Sequence, residues 1–205
     1  SKFNIFALTG GILTAIGIAF WIAVGVFDVS FGGKVEVPSV GILLMENLGN
    51  EEDLFWARGI TEDLIIKIAG AGLIRISPMK DIKSVNMDDE FIDIANQLRV
   101  KYLLTSSIYK HENGFDLRCQ LIEAETGNSK YANKWSEPLE NSPEIVGNLA
   151  SNIIKSLNVG TKQDLTKSST ENAEAYELYL KAKYAWEKRQ NVEAIESVRE
   201  LLKKV

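Results

Sequence analysis

The hydrophobic pattern changes period along the chain, and each change predicts an element. No charge interrupts the run from Ile5 to Phe27. At about 1.5 Å per residue it reaches roughly 34 Å, enough for a hydrocarbon core about 30 Å thick. Trp21 and Phe27 lie near its C-terminal end, where aromatic rings suit the interface, and Asp28 closes it. The run is longer than the roughly 7–15 residues of a signal-peptide core and no Ala-x-Ala site follows, which favours a transmembrane helix over a cleaved leader. Lys2 before the span and Asp28 after it favour an N-terminus in the cytoplasm. That orientation places residues 28–205 outside it, in the periplasm of a Gram-negative cell. Gly11, Ala15, Ala19 and Ala23 recur every four residues; the simpler reading is chance in an Ala/Gly-rich span, and the sharper one a small-residue face for close helix–helix approach and so a homodimer contact.

Past a glycine-containing linker over 28–36, Val37 to Met45 reads as a buried strand and Asn47 to Asp53 as an acidic loop. Trp56, Ile60, Leu64 and Ile68, with Ile65, form the apolar stripe of a helix over about 54–69, closed by Gly70 and Gly72. Leu73 to Ser77 is a second strand, ended by Pro78. The next helix starts on Asp88-Asp89-Glu90, runs to about Leu98, and turns Phe91, Ile94, Ala95 and Leu98 inward. Tyr102 to Tyr109 is a strand, Asn113-Gly114 a hairpin turn, and Phe115 to Ile122 the return. In that return Phe115, Leu117, Cys119 and Leu121 alternate with Asp116, Arg118 and Gln120, giving one core face and one wet face. A third hairpin strand covers about 130–135. Ser142-Pro143-Glu144 reads as a helix start, followed by Ile145, Leu149, Ile153 and Leu157. The order β-α-β-α-β-β-β-α predicts an α/β domain with a mixed sheet over 37–159.

Residues 160–171 are rich in Ser, Thr and Lys and read as a linker. Two helical stretches follow, about 173–188 and 192–204. The first carries Tyr176, Leu178, Tyr179, Ala182, Tyr184 and Trp186; the second carries Ala194, Ile195, Val198 and Leu202. The hairpin over 172–205, about 34 residues, has the size of one tetratricopeptide repeat, a unit that cannot bury its own apolar face. With no initiating Met and a single repeat, the sequence reads as a piece of a longer protein, with a cytoplasmic stub over 1–4.

Composition narrows the function. Lys and Arg number 23 against 28 Asp and Glu, a net charge of −5, which opposes nucleic acid as a partner. One cysteine and one histidine leave no disulfide, no cysteine-built zinc site and no His–His metal pair.

Three segments together are similar to a known domain. They are Val40-Gly-Ile-Leu-Leu-Met-Glu-Asn47, then Phe55-Trp-Ala-Arg-Gly-Ile-Thr-Glu-Asp-Leu64, then Tyr102-Leu-Leu-Thr-Ser-Ser-Ile108 with Leu117 to Gly127. In order and spacing they resemble the TolB amino-terminal-like domain, also seen in the flagellar protein FlgO. Glu174 to Leu180 looks like the segment that leads this domain into its tetratricopeptide array. The chain departs from the family where Met45-Glu46 replaces the usual Pro-Phe. The resemblance implies a module that follows a membrane helix, downstream of a class III adenylyl/guanylyl cyclase or a winged-helix DNA-binding domain.

Thr61, Glu62 and Asp63 carry the strongest match and, with Arg58 just before them, are the candidate ligand or partner contacts. Adjacent carboxylates on a helix point about 100° apart, so Glu62 and Asp63 do not form an acid/base pair and are more simply structural or solvated. Arg58 is expected to pair with a carboxylate of the acidic loop. His111 reads as a loop residue and Cys119 as a small buried hydrophobe. No nucleophile–base pair, metal cluster or phosphate loop survives, so no catalytic residue, metal or cofactor is assigned. The expectation is a non-catalytic sensory or protein-binding portion of a single-pass inner-membrane regulator. Its partners are the lipid bilayer, a protein or peptide held by the helical repeats, and a second copy of itself, and its output domain is cyclase-like. The alternative is an envelope assembly protein, anchored in the inner membrane, with no signalling output.

Overall fold

The computed structural model describes residues 37–160, 164–168, 170–189 and 192–204. The expected membrane span over 5–27, with Gly11, Ala15, Ala19 and Ala23, lies outside the described residues. Among the described residues no helix is long and apolar enough to cross a membrane.

Six strands form one mixed sheet: β1 (Ser39–Ile42), β2 (Glu46–Asn47), β3 (Arg75–Ile76), β4 (Tyr102–His111), β5 (Gly114–Glu123) and β6 (Ser129–Pro138). The order across the sheet is β3-β1-β4-β5-β6, with β2 also on β4. β1 lies parallel to β3 and β4, and β4, β5 and β6 run antiparallel. The helices are α1 (Leu54–Gly70), α2 (Met79–Ile82), α3 (Phe91–Leu98), α4 (Ile145–Ser156), α5 (Ala173–Lys188) and α6 (Val192–Leu202). The mixed α/β architecture read from the sequence is thus present, with β2 and α2 as additions.

The crossovers explain the layering. β1 to β3 steps one way through α1; β3 to β4 steps back past β1 through α2 and α3. A crossover of fixed hand changes sheet face when its direction reverses. The larger core joins α1, α4 and α5 to Val40, Ile42, Leu104, Ile108, Phe115, Leu117, Cys119 and Leu121. A second core on the opposite face joins Ile82, Ile94, Ala95 and Leu98 to Leu43 and Leu103.

Several local expectations shift. The first strand is broken in two: Ile42 pairs with Leu104 and Glu46 with Ser107, so residues 43–45 stand opposite 105–106. One extra residue on one strand is a bulge, which bends the strand and frees a backbone donor. Phe91, expected inside, is 41% exposed, while Ile94, Ala95 and Leu98 are buried as expected. Gly114 opens β5 opposite His111 instead of sitting in the turn, and a Cβ there would lie 2.4 Å from the Glu137 carbonyl oxygen. Ser142 does not cap α4. It lies in a 3-10 segment, Leu139–Glu144, that runs into the helix, and its buried hydroxyl has no hydrogen-bond partner among the described residues.

The first C-terminal helix, α5, joins this core. Tyr176 and Leu180 of α5 belong to the same apolar cluster as the sheet face. In the polar stretch read as a linker, Leu165 is buried, and a Cβ on Gly147 of α4 would sit 2.7 Å from the Leu165 and Thr166 carbonyl oxygens. That glycine is what lets the segment lie on α4.

Candidate functional site

The segment from Arg58 to Asp63 occupies the middle of α1, where the helix is pressed between the strand bulge and α5. Its four singled-out side chains are used in three different ways.

Thr61 faces the bulge. It is 1% exposed, and its Oγ1 accepts the Met45 N–H at 3.1 Å while donating to the Ala57 carbonyl at 2.8 Å. The bulge takes the Met45 N–H out of the β ladder, and a buried amide without a partner costs about 1–3 kcal/mol. Thr61 is therefore a structural staple between helix and strand. It lies next to the place where this chain has Met45-Glu46.

Glu62 and Asp63 face α5. Lys183 Nζ lies 2.6 Å from Asp63 Oδ1 and 3.2 Å from Glu62 Oε2, and Tyr179 donates to Asp63 Oδ1 at 3.4 Å. The lysine and Asp63 side chains are only 20% and 17% exposed. Burial pulls the Lys183 ammonium down, but the hydrogen bond and charge of Asp63 outweigh it and hold the group above its ordinary value of 10.5. Burial first, then the Asp63 charge, pushes the Tyr179 hydroxyl up, and does so more strongly for Tyr176. The two neighbouring carboxylates thus converge on one cation, which bridges them.

Gly59 sets the depth of this contact. A Cβ at that position would lie 2.5 Å from Leu180 Cδ2, and Leu180 is fully buried. Tyr176 packs edge-on against Trp56 at 6.0 Å, and Lys181 sits over the Phe55 ring at 5.1 Å. Apolar contact, glycine spacing and a charge clasp thus all hold α5 on α1.

Arg58 behaves otherwise. Among the described residues no carboxylate of the acidic loop pairs with it, and Asp53 of that loop lies 3.5 Å from Lys110. Its helical neighbour one turn on, Glu62, is turned to Lys183. The half-buried Arg58 guanidinium has no hydrogen bond or ion pair among the described residues. It lines a cavity of about 440 Å³ between α1, the bulge and the C-terminal end of α5. A second cavity, about 510 Å³, opens on the other flank of the seam, lined by Asp63, Lys67, Lys167, Tyr176 and Tyr179 among others. The Tyr176 hydroxyl is buried there near the Asp63 carboxylate, with no hydrogen bond of normal geometry among the described residues.

The remaining candidates fall outside the seam. Cys119 is buried and its thiol is pushed up to about 11 by burial, so it is a packing residue. His111 lies against Tyr109 at the end of the hairpin. Among the described residues no group of three or more His, Cys, Asp or Glu side chains is placed to hold a metal ion.

Lys183 is the residue that sequence reasoning missed. It falls on the stripe Tyr176, Tyr179, Leu180, Lys183, spaced as one face of a helix. A lysine on an apolar stripe signals a buried carboxylate partner, and that signal was present in the sequence.

No family model matches the chain. It is 25% identical over 154 residues to putative adenylate cyclase 3 of Rhizobium meliloti (strain 1021), an alignment covering 72% of this chain and 26% of that protein. The chain thus spans about a quarter of the length of that relative. Among solved structures, TolB from Acinetobacter baumannii superposes with a TM-score of 0.44 at 12% identity, over 60% of this chain and 28% of that one. Lipoprotein GNA1162 from Neisseria meningitidis gives 0.43 at 10% identity, over 58% of this chain and 96% of that one. The LpoB C-terminal domain from Salmonella enterica gives 0.38 at 19% identity, over 50% and 83%.

Proposed function

We propose that this chain is the non-catalytic sensory or protein-binding portion of a single-pass inner-membrane regulator, joined to a cyclase-like output domain. The observation that carries the reading is the alignment with putative adenylate cyclase 3, which accounts for 72% of this chain but only 26% of that protein. A region of that extent fits a module within a larger protein. The three-segment likeness to TolB amino-terminal-like domains points the same way.

The seam between α1 and α5 supports a signalling role. A helical hairpin that offers a partner surface is tied to the α/β body by an ion pair across 120 residues of chain and by a glycine-spaced apolar contact. Binding on the hairpin would be felt at α1 and, through the sheet, at the segment that leads to the predicted membrane helix. In this reading residues 28–205 lie in the periplasm and two copies associate through Gly11, Ala15, Ala19 and Ala23.

The test is the reading frame that contains Ser1–Val205. It is expected to encode a class III cyclase domain on the N-terminal side, and the whole protein to raise cyclic nucleotide in a cyclase-deficient bacterium. Lys183→Gln is expected to change that output without abolishing expression. A frame with no output domain defeats the reading and leaves the envelope assembly protein.

A further inference from the structure

Arg58 is out of keeping with the rest of the seam. Every other charged group of α1 that faces α5 is matched, whereas this guanidinium offers five donors and meets no acceptor among the described residues. A half-buried cation without a partner weakens a fold, and proteins break local rules of this kind mainly where a ligand completes them.

The cavity it lines has a consistent chemistry. Lys83 and Lys188 share the wall with it, and Glu187 is the one acidic residue there. Glu187 is taken by Lys83, and Lys188 lies over the Tyr184 ring at 4.5 Å. Three cations against one carboxylate leave a charge of 3 − 1 = +2 in the wall. Leu44, Leu54 and Tyr184 supply an apolar side. The volume, about 440 Å³, is that of a small-molecule site.

We infer that this cavity binds a small phosphate monoester with an apolar or aromatic body. The guanidinium fork matches a phosphate bidentately. A monoester carries about −1.5 to −2 charges at neutral pH, which balances the wall where a carboxylate would leave it half matched. Arg58 holds the phosphate, Lys188 closes over it from α5, and the ester's body lies along Leu44, Leu54 and Tyr184. Because α1 and the bulge form one wall and α5 the other, an occupied site ties the α/β body to the hairpin. The assignment stands on the cavity and is independent of any cyclase output.

The experiment titrates the full chain, held in a neutral detergent at constant ionic strength, with phenyl phosphate, inorganic phosphate, phenylacetate and phenol. Binding is read from amide chemical shifts and thermal melting. Phenyl phosphate is expected to bind saturably, at least about tenfold tighter than phenylacetate or inorganic phosphate, with phenol inert. Arg58→Gln is expected to weaken phenyl phosphate binding at least about tenfold while melting no lower than the parent without ligand, since Arg58 has no partner to lose among the described residues. Lys188→Gln, on the exposed end of α5, is expected to weaken binding less, and Arg118→Gln on the far sheet face not at all. The inference is overturned by a phenyl phosphate response that does not saturate, by undiminished binding in Arg58→Gln, by equal losses in Arg58→Gln and Arg118→Gln, or by phenylacetate binding as tightly as the monoester.

Discussion

The two faces of the sheet are built on different terms. One face is covered along its length by α1, α4 and α5, and its side chains merge into a single apolar cluster. The other is covered by α2 and α3 only over the parallel strands. Past Leu103 that second face opens, and Thr105, Ser107, Arg118, Gln120 and Ala132 form a shallow polar surface. Parallel strands are buried on both sides because their crossovers lay helices there, whereas hairpin strands can leave one side to water. The comparison teaches that apolar packing is concentrated on the covered face, where α1, α4 and α5 meet the sheet, and the hairpin strands are expected to tolerate change on their open face.

The largest effect should come from removing the apolar knob of the covered face. Leu180→Ala leaves a cavity beside Gly59 and is expected to cost about 2–5 kcal/mol, read as a lower midpoint in urea melts. Gly59→Ala approaches the same contact from the other side. The added methyl meets Leu180 Cδ2 at 2.5 Å, and overpacking costs about 1–3 kcal/mol. The pair should compensate in part, because each relieves the other. Strict additivity of the two losses would show that α5 does not rest on Gly59.

Next in size is the staple at the strand bulge. Thr61→Val keeps the volume and removes the acceptor for the Met45 N–H, with an expected loss of about 1–3 kcal/mol. Thr61→Ser keeps the hydroxyl and should recover most of it. Faster hydrogen exchange at the Met45 amide in Thr61→Val, restored in Thr61→Ser, would locate the cause. Equal stability of the Val and Ser variants would assign Thr61 to packing alone.

Much of the covered face was legible in the sequence. The stripe Trp56, Ile60, Leu64 and Ile68 is buried as its spacing implies, and the alternation from Phe115 to Leu121 gives the two faces of β5. Period survives in sequence because every turn of a helix or pleat of a strand repeats it. Single events leave no period. The bulge at 43–45 adds one residue, and Phe91 departs from its stripe at the first turn of α3, where the helix leaves the core. The site was legible in its address but not in its use. The resemblance marked Arg58 to Asp63, but the partner of Asp63 lies 120 residues away and the partner of Thr61 is a backbone amide. A contact between distant residues is set by the tertiary fold, and the only local hint was a lysine on an apolar stripe.

The clasp itself gives a smaller effect and a defined pH window. Lys183 has a folded value above its ordinary one, so its contribution is complete below the unfolded value of about 10.4 and is lost as pH rises through the folded value. Tyr179 is also held above its ordinary value, by burial and the Asp63 charge. Its neutral phenol is likewise favoured until alkaline pH, where the unfolded chain ionises first. Both groups place the loss above about pH 10. Thermal midpoints should be flat through neutral pH and fall there, together with a rise in phenolate absorbance. Lys183→Gln should lower the midpoint at neutral pH and blunt the alkaline fall. A fall that begins below about pH 9 in the parent would mean that other groups govern the seam.

The smallest effect is expected on the open face, and it is the sharpest control on the comparison. Arg118 and Gln120 are exposed on β5, and no side-chain hydrogen bond of either appears among the described residues. Arg118→Gln and Gln120→Lys are each expected to change stability by no more than about 0.5 kcal/mol. The neighbouring ion pair, Lys134 with Asp116 at 3.8 Å, is likewise at the surface, where such pairs contribute about 0–1 kcal/mol and weaken with salt. A loss above about 2 kcal/mol from either β5 substitution would show that something covers this face in the folded protein. The contrast between the two faces would then be one of partners rather than of packing. Stability unchanged by salt and by both substitutions leaves the open face free to vary, while the α1–α5 seam keeps the fold.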